Sequence, residues 1–201
     1  YKMINAVGRE IPEEVLKATG KEAFKGAYAY DNHEYKKAAP KAHAMMDPNR
    51  SKIVENIHEA LVKCEIKDGM TISFHHHFRE GDYIVNMVME EIHKMGIKDI
   101  TICASSLGKA HDPIVPMIED GTVTGIRSSG VRGKIGEAIS AGKLKNLAVM
   151  CSHGGRVRAV ESGEVHIDIA FIGAPTCDEY GNLRANGGKS DCGVLSYAMA
   201  D

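Results

Sequence analysis

The sequence predicts an α/β protein, an open and mostly parallel sheet with flanking helices, and three observations carry that expectation. From Gly69 onward five short β-rich runs recur, at residues 70–74, 100–104, 123–126, 147–151 and 167–172. Their starts lie about 20 to 30 residues apart, the length of a strand plus a crossover helix. Stretches with helical periodicity fit between them, and the runs lack polar alternation, as strands covered on both faces do.

Residues 1–46 show no sustained period. Gly8, Gly20, Gly26 and Pro40, scattered lysines and one short helix over 13–18 are expected to form an irregular N-terminal arm that wraps a neighbour or the main body. The α/β domain is expected over 47–201. Asp47 and Pro48 supply an N-cap and a first helical residue, and Ile53, Ile57, Ala60, Leu61 and Cys64 continue an amphipathic helix to about residue 67. Further helices are expected over 83–95 (Asp82 as cap, Gly96 as stop), 113–120, 135–141 and 157–163. Crossovers are expected to be right-handed.

Composition narrows the function. Among 201 residues, Lys plus Arg (25) nearly balances Asp plus Glu (27), so no strong field draws nucleic acid or anionic lipid. No apolar run reaches the roughly 18 residues of a membrane helix, and no signal pattern opens the chain. Tryptophan is absent and aromatics are 5%, which argues against stacking platforms for bases. Five cysteines without a C-x-x-C pair read as free thiols in a reducing cytoplasm. The chain is expected to be a piece of a longer one, since it opens at Tyr1 and stops at Ala200-Asp201 without a terminating motif.

In such a sheet ligands bind beyond the carboxyl ends of the strands. There the sequence places 73–82 (Ser-Phe-His-His-His-Phe-Arg-Glu-Gly-Asp), 105–111, 128–133 (Ser-Ser-Gly-Val-Arg-Gly), 152–156 (Ser-His-Gly-Gly-Arg) and 173–182. Small residues expose backbone N–H groups beside helix N-termini, which suits phosphate or a developing oxyanion; arginines and histidines add charge for a carboxylate. Glycine also simply makes tight turns. The His75-His76-His77 run allows three readings: a polar strand end, contacts to an anionic substrate, or a metal held by His75 and His77 on one strand face. The last would need further ligands such as His111 or His153, and the barrel hydrolases that use such a pair need more βα units than the five found.

Several signatures are excluded. Gly188-Lys189-Ser190 lacks the first P-loop glycine, because position 183 is leucine; Arg132 breaks a dinucleotide glycine pattern at Gly130; no G-x-S-x-G occurs. Cys103 and Cys151 lie at strand ends, where buried cysteine is commoner than a nucleophile.

The segments 153–165 (His-Gly-Gly-Arg-Val-Arg-Ala-Val-Glu-Ser-Gly-Glu-Val) and 173–183 (Gly-Ala-Pro-Thr-Cys-Asp-Glu-Tyr-Gly-Asn-Leu) resemble CoA-transferases. Together with 74–82, where the triple histidine is the more specific sign, they are similar to the α subunits of citrate lyase. The resemblance implies a CoA-transferase-like half and a citrate CoA-transferase component, exchanging acetyl for citryl on a CoA-like thioester with release of acetate. The resemblance also implies that the thioester is borne by phosphoribosyl-dephospho-CoA on a γ acyl-carrier subunit, and that a β subunit then cleaves the citryl group. Charge balance and apolar run length give the expectation of no nucleic acid and no membrane, the free thiols that of a cytoplasmic location, and an exposed sheet edge with a missing second half that of a homo-oligomer; no metal is expected. Backbone N–H groups over 74–78 are the oxyanion candidates.

Carried onto this chain, His75, His76 and His77 are candidate oxyanion or substrate contacts. Phe78, Arg79, Ser128, Arg132, His153, Gly154, Gly155, Arg156, Asp178, Gly181 and Asn182 are candidates for binding substrate or CoA. Arg79, Arg132 and Arg156 suit carboxylates or phosphates by their forked geometry. Two departures stand out. Histidines occupy the first turn where CoA-transferases have glycines, and the S-E-N-G-like motif of a second half is absent. The chain is therefore expected to be an N-terminal half that folds alone, binds CoA weakly and turns over little or nothing. A metal-dependent hydrolase using His75 and His77, or a non-catalytic subunit-binding module, are the alternatives.

Overall fold

The computed structural model describes residues 2–26, 29, 50–75, 83–184 and 186–187. The chain divides into two compact units, Tyr1–Lys36 and Lys37–Asp201.

In the first unit β1 (Lys2–Ile4) pairs antiparallel with β2 (Glu10–Pro12). The Asn5 side chain closes the link, its Oδ1 accepting from the N–H groups of Val7 and Arg9 at 3.1 and 2.9 Å. α1 (Glu13–Thr19) follows, with Glu13 and Glu14 in its first turn and Gly20 in the left-handed region at its end. The helix matches the expected 13–18. The hairpin has no counterpart in the sequence reading, because three-residue strands are too short to show a period.

In the second unit, five strands form one parallel sheet among the described residues: β3 (Thr71–His75), β4 (Ile100–Ala104), β5 (Val123–Ser128), β6 (Ala148–Met150) and β7 (Ile169–Ile172). Their order is β6-β5-β4-β3-β7. The chain leaves β3, steps outward through β4 and β5 to β6, then returns to the other side of β3. The connecting helices are α3 (Ile84–Lys94), α4 (Val115–Glu119), α5 (Gly133–Ser140) and α6 (His153–Glu161), and α2 (Ile57–Lys63) precedes β3. This is the expected open α/β sheet.

Alternation along the strands sorts the two faces. Ile72, Phe74, Ile100, Ile102, Ala104 and Ile126 join Leu61 of α2, Val85, Val88, Met89 and Ile92 of α3, Ile118 of α4 and Ile135 of α5 in one apolar core. Ser73 and Cys103 point the other way, toward α6, where Arg156 meets them. β4 and β5 slip register after Ile100, so that Thr101 pairs with Gly125. A Cβ at Gly125 would lie 2.5 Å from Thr101 Oγ1, which is why the bulged strand carries glycine there.

Three helices depart most from expectation. α2 starts at Ile57, well after 48; residues 47–49 lie outside the described ones, and 50–56 are not helical. Asn56 is the N-cap, its Oδ1 accepting from Glu59 N–H at 2.9 Å while Glu59 Oε2 accepts from Glu55 N–H at 2.8 Å. These two bonds, a variant of the capping box in which Glu59 reaches back to Glu55, anchor the start more firmly than periodicity alone. α6 starts at His153, four residues early, because Ser152 caps it: its Oγ accepts from Gly155 N–H at 3.0 Å. The glycine pair read as a loop is its first turn. The helix expected over 113–120 is a 3-10 segment (Lys109–Ile114) running into α4. Asp82, the expected cap of α3, lies outside the described residues. No helix among those described is long and apolar enough to cross a membrane.

Candidate functional site

β3 and β7 end side by side, His75 beside Ile172, and Gly173 N–H donates to the His75 carbonyl at 3.0 Å. The strand order reverses between them, so a crevice at their carboxyl ends is where an open sheet accepts a ligand. Phe74 is fully buried between β4 and β7 and stacks on Phe171, with ring centroids 5.5 Å apart. Ser73 and Phe74 therefore belong to the strand and not to the loop after it. His75, half-buried, shares the α6 side with Ser73 by alternation. His76, His77, Phe78 and Arg79 lie outside the described residues.

The loops after β4 and β5 are tied into one support. The Ser105 carbonyl accepts from Ser129 Oγ, from Ser129 N–H at 3.1 Å and from Ser128 Oγ at 3.4 Å. The Ser128 hydroxyl also donates to the Gly130 carbonyl at 3.0 Å, and its own carbonyl accepts from Cys151 N–H at 2.9 Å. Ser128 is thus a buried strut. Arg132 caps α5 with an exposed side chain, its N–H donating to the Leu107 carbonyl at 2.9 Å.

His153 and Gly154 are exposed in the first turn of α6, and a Cβ at Gly155 would lie 3.1 Å from Ser152 Oγ. Arg156, one turn along, is 3% exposed. Its Nη2 donates to Ser73 Oγ at 2.7 Å and its Nε to Cys103 Sγ at 3.4 Å. This guanidinium fastens α6 to β3 two residues before His75. Sequence reasoning did not pair Arg156 with Ser73 and Cys103. The available signal was polarity: Ser73 lies between the buried Ile72 and Phe74, and Cys103 between the buried Ile102 and Ala104.

Asp178, Gly181 and Asn182 build a hairpin turn between β8 (Thr176–Cys177) and β9 (Leu183–Arg184). Asp178 Oδ1 accepts from the N–H groups of Tyr180 and Asn182, each at 2.9 Å, and Oδ2 from Asn182 Nδ2 at 2.8 Å. The Asn182 side chain, then its backbone N–H, hold the Asp178 carboxyl below the ordinary aspartate range. Gly181 supplies the left-handed turn residue. Lys52 N–H donates to the Glu179 carbonyl at 2.7 Å, so this turn braces the segment before α2.

Among the described residues no group of three or more His, Cys, Asp or Glu side chains is placed to hold a metal ion. His111 is buried, with Nδ1 accepting from Gly108 N–H at 3.0 Å, tied to its own loop.

Residues 50–201 match the family model described as citrate lyase, alpha subunit (CitF). The chain belongs to the citrate lyase α-subunit family. Curated citrate lyase alpha chains are similar to it: one from Haemophilus influenzae is 47% identical over 175 residues, covering 87% of this chain and 35% of that protein. One from Escherichia coli is 51% identical over 150 residues, covering 75% and 29%. A solved structure of a citrate lyase α subunit from Streptococcus mutans, in complex with citrate, superposes with a TM-score of 0.80 at 48% identity. It covers 98% of this chain and 38% of that one. The chain thus spans about a third of the length of the curated relatives it matches. Within this family, the five-stranded parallel sheet and its flanking helices are a CoA-transferase-like fold.

Proposed function

We propose that these residues are the N-terminal part of a citrate CoA-transferase, the α component of citrate lyase, which exchanges acetyl for citryl on a CoA-like thioester and releases acetate. The observation that carries this reading is the reversal of strand order between β3 and β7, in a chain 48% identical across 98% of its length to a structure in complex with citrate. Citrate is a polyanion, and attack by its carboxylate on a thioester generates an oxyanion, so the site must offer cations and N–H donors and exclude water.

The residues at the carboxyl edge fit a phosphate-bearing carrier in kind: the exposed Arg132 guanidinium and the first turn of α6 are donor sets for anions. The phosphoribosyl-dephospho-CoA thioester, when bound, supplies the activated acyl carbonyl. In this reading His75, with His76 and His77, contacts citrate or the oxyanion, and Phe78 and Arg79 bind substrate or CoA. Arg132, His153, Gly154 and Gly155 face the anionic ligands. Ser128 and Arg156 position the edge from behind, while Asp178, Gly181 and Asn182 shape the neighbouring turn. The partners are the β and γ subunits in an oligomeric cytoplasmic complex. Because the chain spans about a third of its relatives, it is proposed to need the remainder for turnover.

Citrate-dependent release of acetate from acetyl-CoA, or from the acyl-carrier thioester, tests this with the 201-residue chain beside one extended to the length of its relatives. Release by the longer chain alone is expected. Silence of both contradicts the transferase, and robust turnover by the shorter contradicts the division of the site.

A further inference from the structure

Behind the first turn of α6 lies a small, partly open cavity of about 70 Å³, on the sheet face opposite the apolar core. Since one water needs about 10–15 Å³ by this measure, the cavity admits a group the size of a carboxylate or phosphate. Most of its lining is apolar, from Val149, Ala159, Val160 and Val165, and its charged lining is Arg127 from β5, Arg156 and Arg158 from α6, and the single acid Glu164. Glu164 is engaged, accepting from Arg158 Nη2 at 2.6 Å. Arg127 stands beside Cys103 in the β4–β5 register, on the same sheet face, and Cys103 Sγ accepts from Arg156 Nε at 3.4 Å. Arg127 is half-buried and has no hydrogen-bond or ion-pair partner among the described residues.

A guanidinium withdrawn from water is costly without a counter-charge. Its fixed fork of donors fits a planar or tetrahedral oxyanion in two parallel hydrogen bonds. We propose that this cavity is an oxyanion subsite in which Arg127, beside Arg156, binds a carboxylate or phosphate group. The subsite lies behind the first turn of α6, and its binding of an anion does not depend on the transferase reading. It selects charge and fork geometry.

The test is thermal protection of the 201-residue chain by inorganic phosphate and, separately, by citrate, each against sodium chloride at equal ionic strength. Binding to the folded state alone raises the melting temperature by about 5 °C or more at a hundredfold excess over Kd. Protection by phosphate alone assigns the subsite to a phosphate group, and by citrate alone to a carboxylate. Arg127→Gln is expected to abolish the shift and Arg158→Gln to retain it. Arg127→Lys keeps the charge, loses the fork and is expected to raise Kd about tenfold. Protection by neither anion, equal protection by chloride, undiminished protection of Arg127→Gln, or an unchanged Kd in Arg127→Lys would each overturn the proposal.

Discussion

The central sheet presents two different chemistries on one set of strands. Ile72, Phe74 and Ile102 face α2, α3 and α5 in a close-packed aliphatic core. The residues between and beside them, Ser73, Cys103 and Arg127, face α6 across hydrogen bonds and a charged cavity. The aliphatic face is held by burial, which is non-directional and tolerant of repacking. The α6 face is held by a few directional contacts, each of which has one correct geometry. Stability rests on the first face, and the positioning of His75 and the α6 first turn rests on the second.

Phe74→Ala should expose this contrast most sharply. It removes a fully buried ring stacked on Phe171 and should cost about 3–5 kcal/mol in chemical denaturation. Ser73→Ala, one residue away on the other face, removes only an oxygen but leaves the Arg156 guanidinium short of its 2.7 Å acceptor. It should cost about 1–3 kcal/mol, and if both changes cost the same the two-face description fails. Gly125→Ala places a methyl 2.5 Å from Thr101 Oγ1 and should cost about 1–3 kcal/mol by overpacking. Combining it with Thr101→Ala should recover part of that loss, a coupling that a double-mutant cycle reads directly.

The smallest effect lies away from the sheet, at Asp178. Its carboxyl titrates below the ordinary aspartate value of about 4, held first by the Asn182 side chain. A carboxyl with a lowered folded pKa contributes stability that is fully present above its unfolded pKa and is lost as pH falls through the folded one. Asp178→Asn should therefore melt slightly earlier than the native chain at neutral pH, and the gap should close on acidification below pH about 4. A gap that widens instead would contradict the turn's role.

Much of this architecture was legible because buried parallel strands write themselves as aliphatic runs: 100–104 is observed with the expected ends, and 70–74 differs by one residue. Helix starts were less legible. At Ser152 a hydroxyl cap outweighed the poor helix propensity of Gly154 and Gly155, and at Asn56 the decisive signal was a side-chain pair and not a period. The site was legible as a set of strand ends, and His75, Ser128, Arg132 and His153 do stand there. Its internal division of labour was not. Whether Arg156 meets solvent or Ser73 depends on which side of the sheet α6 crosses, a property of the whole topology. Asp178 and Asn182 read as polar loop residues, and only three-dimensional geometry shows their groups turned on one another.

The central claim is that the carboxyl end of β3 is a citrate contact. The most direct measurement is kcat/KM for citrate in the chain extended to the length of its relatives, native against His75→Ala, with acetyl-thioester as co-substrate. Loss of a charge-assisted contact of about 2–3 kcal/mol predicts a fall of about a hundredfold in kcat/KM, with the melting temperature of the variant close to native. An unchanged kcat/KM would contradict the account.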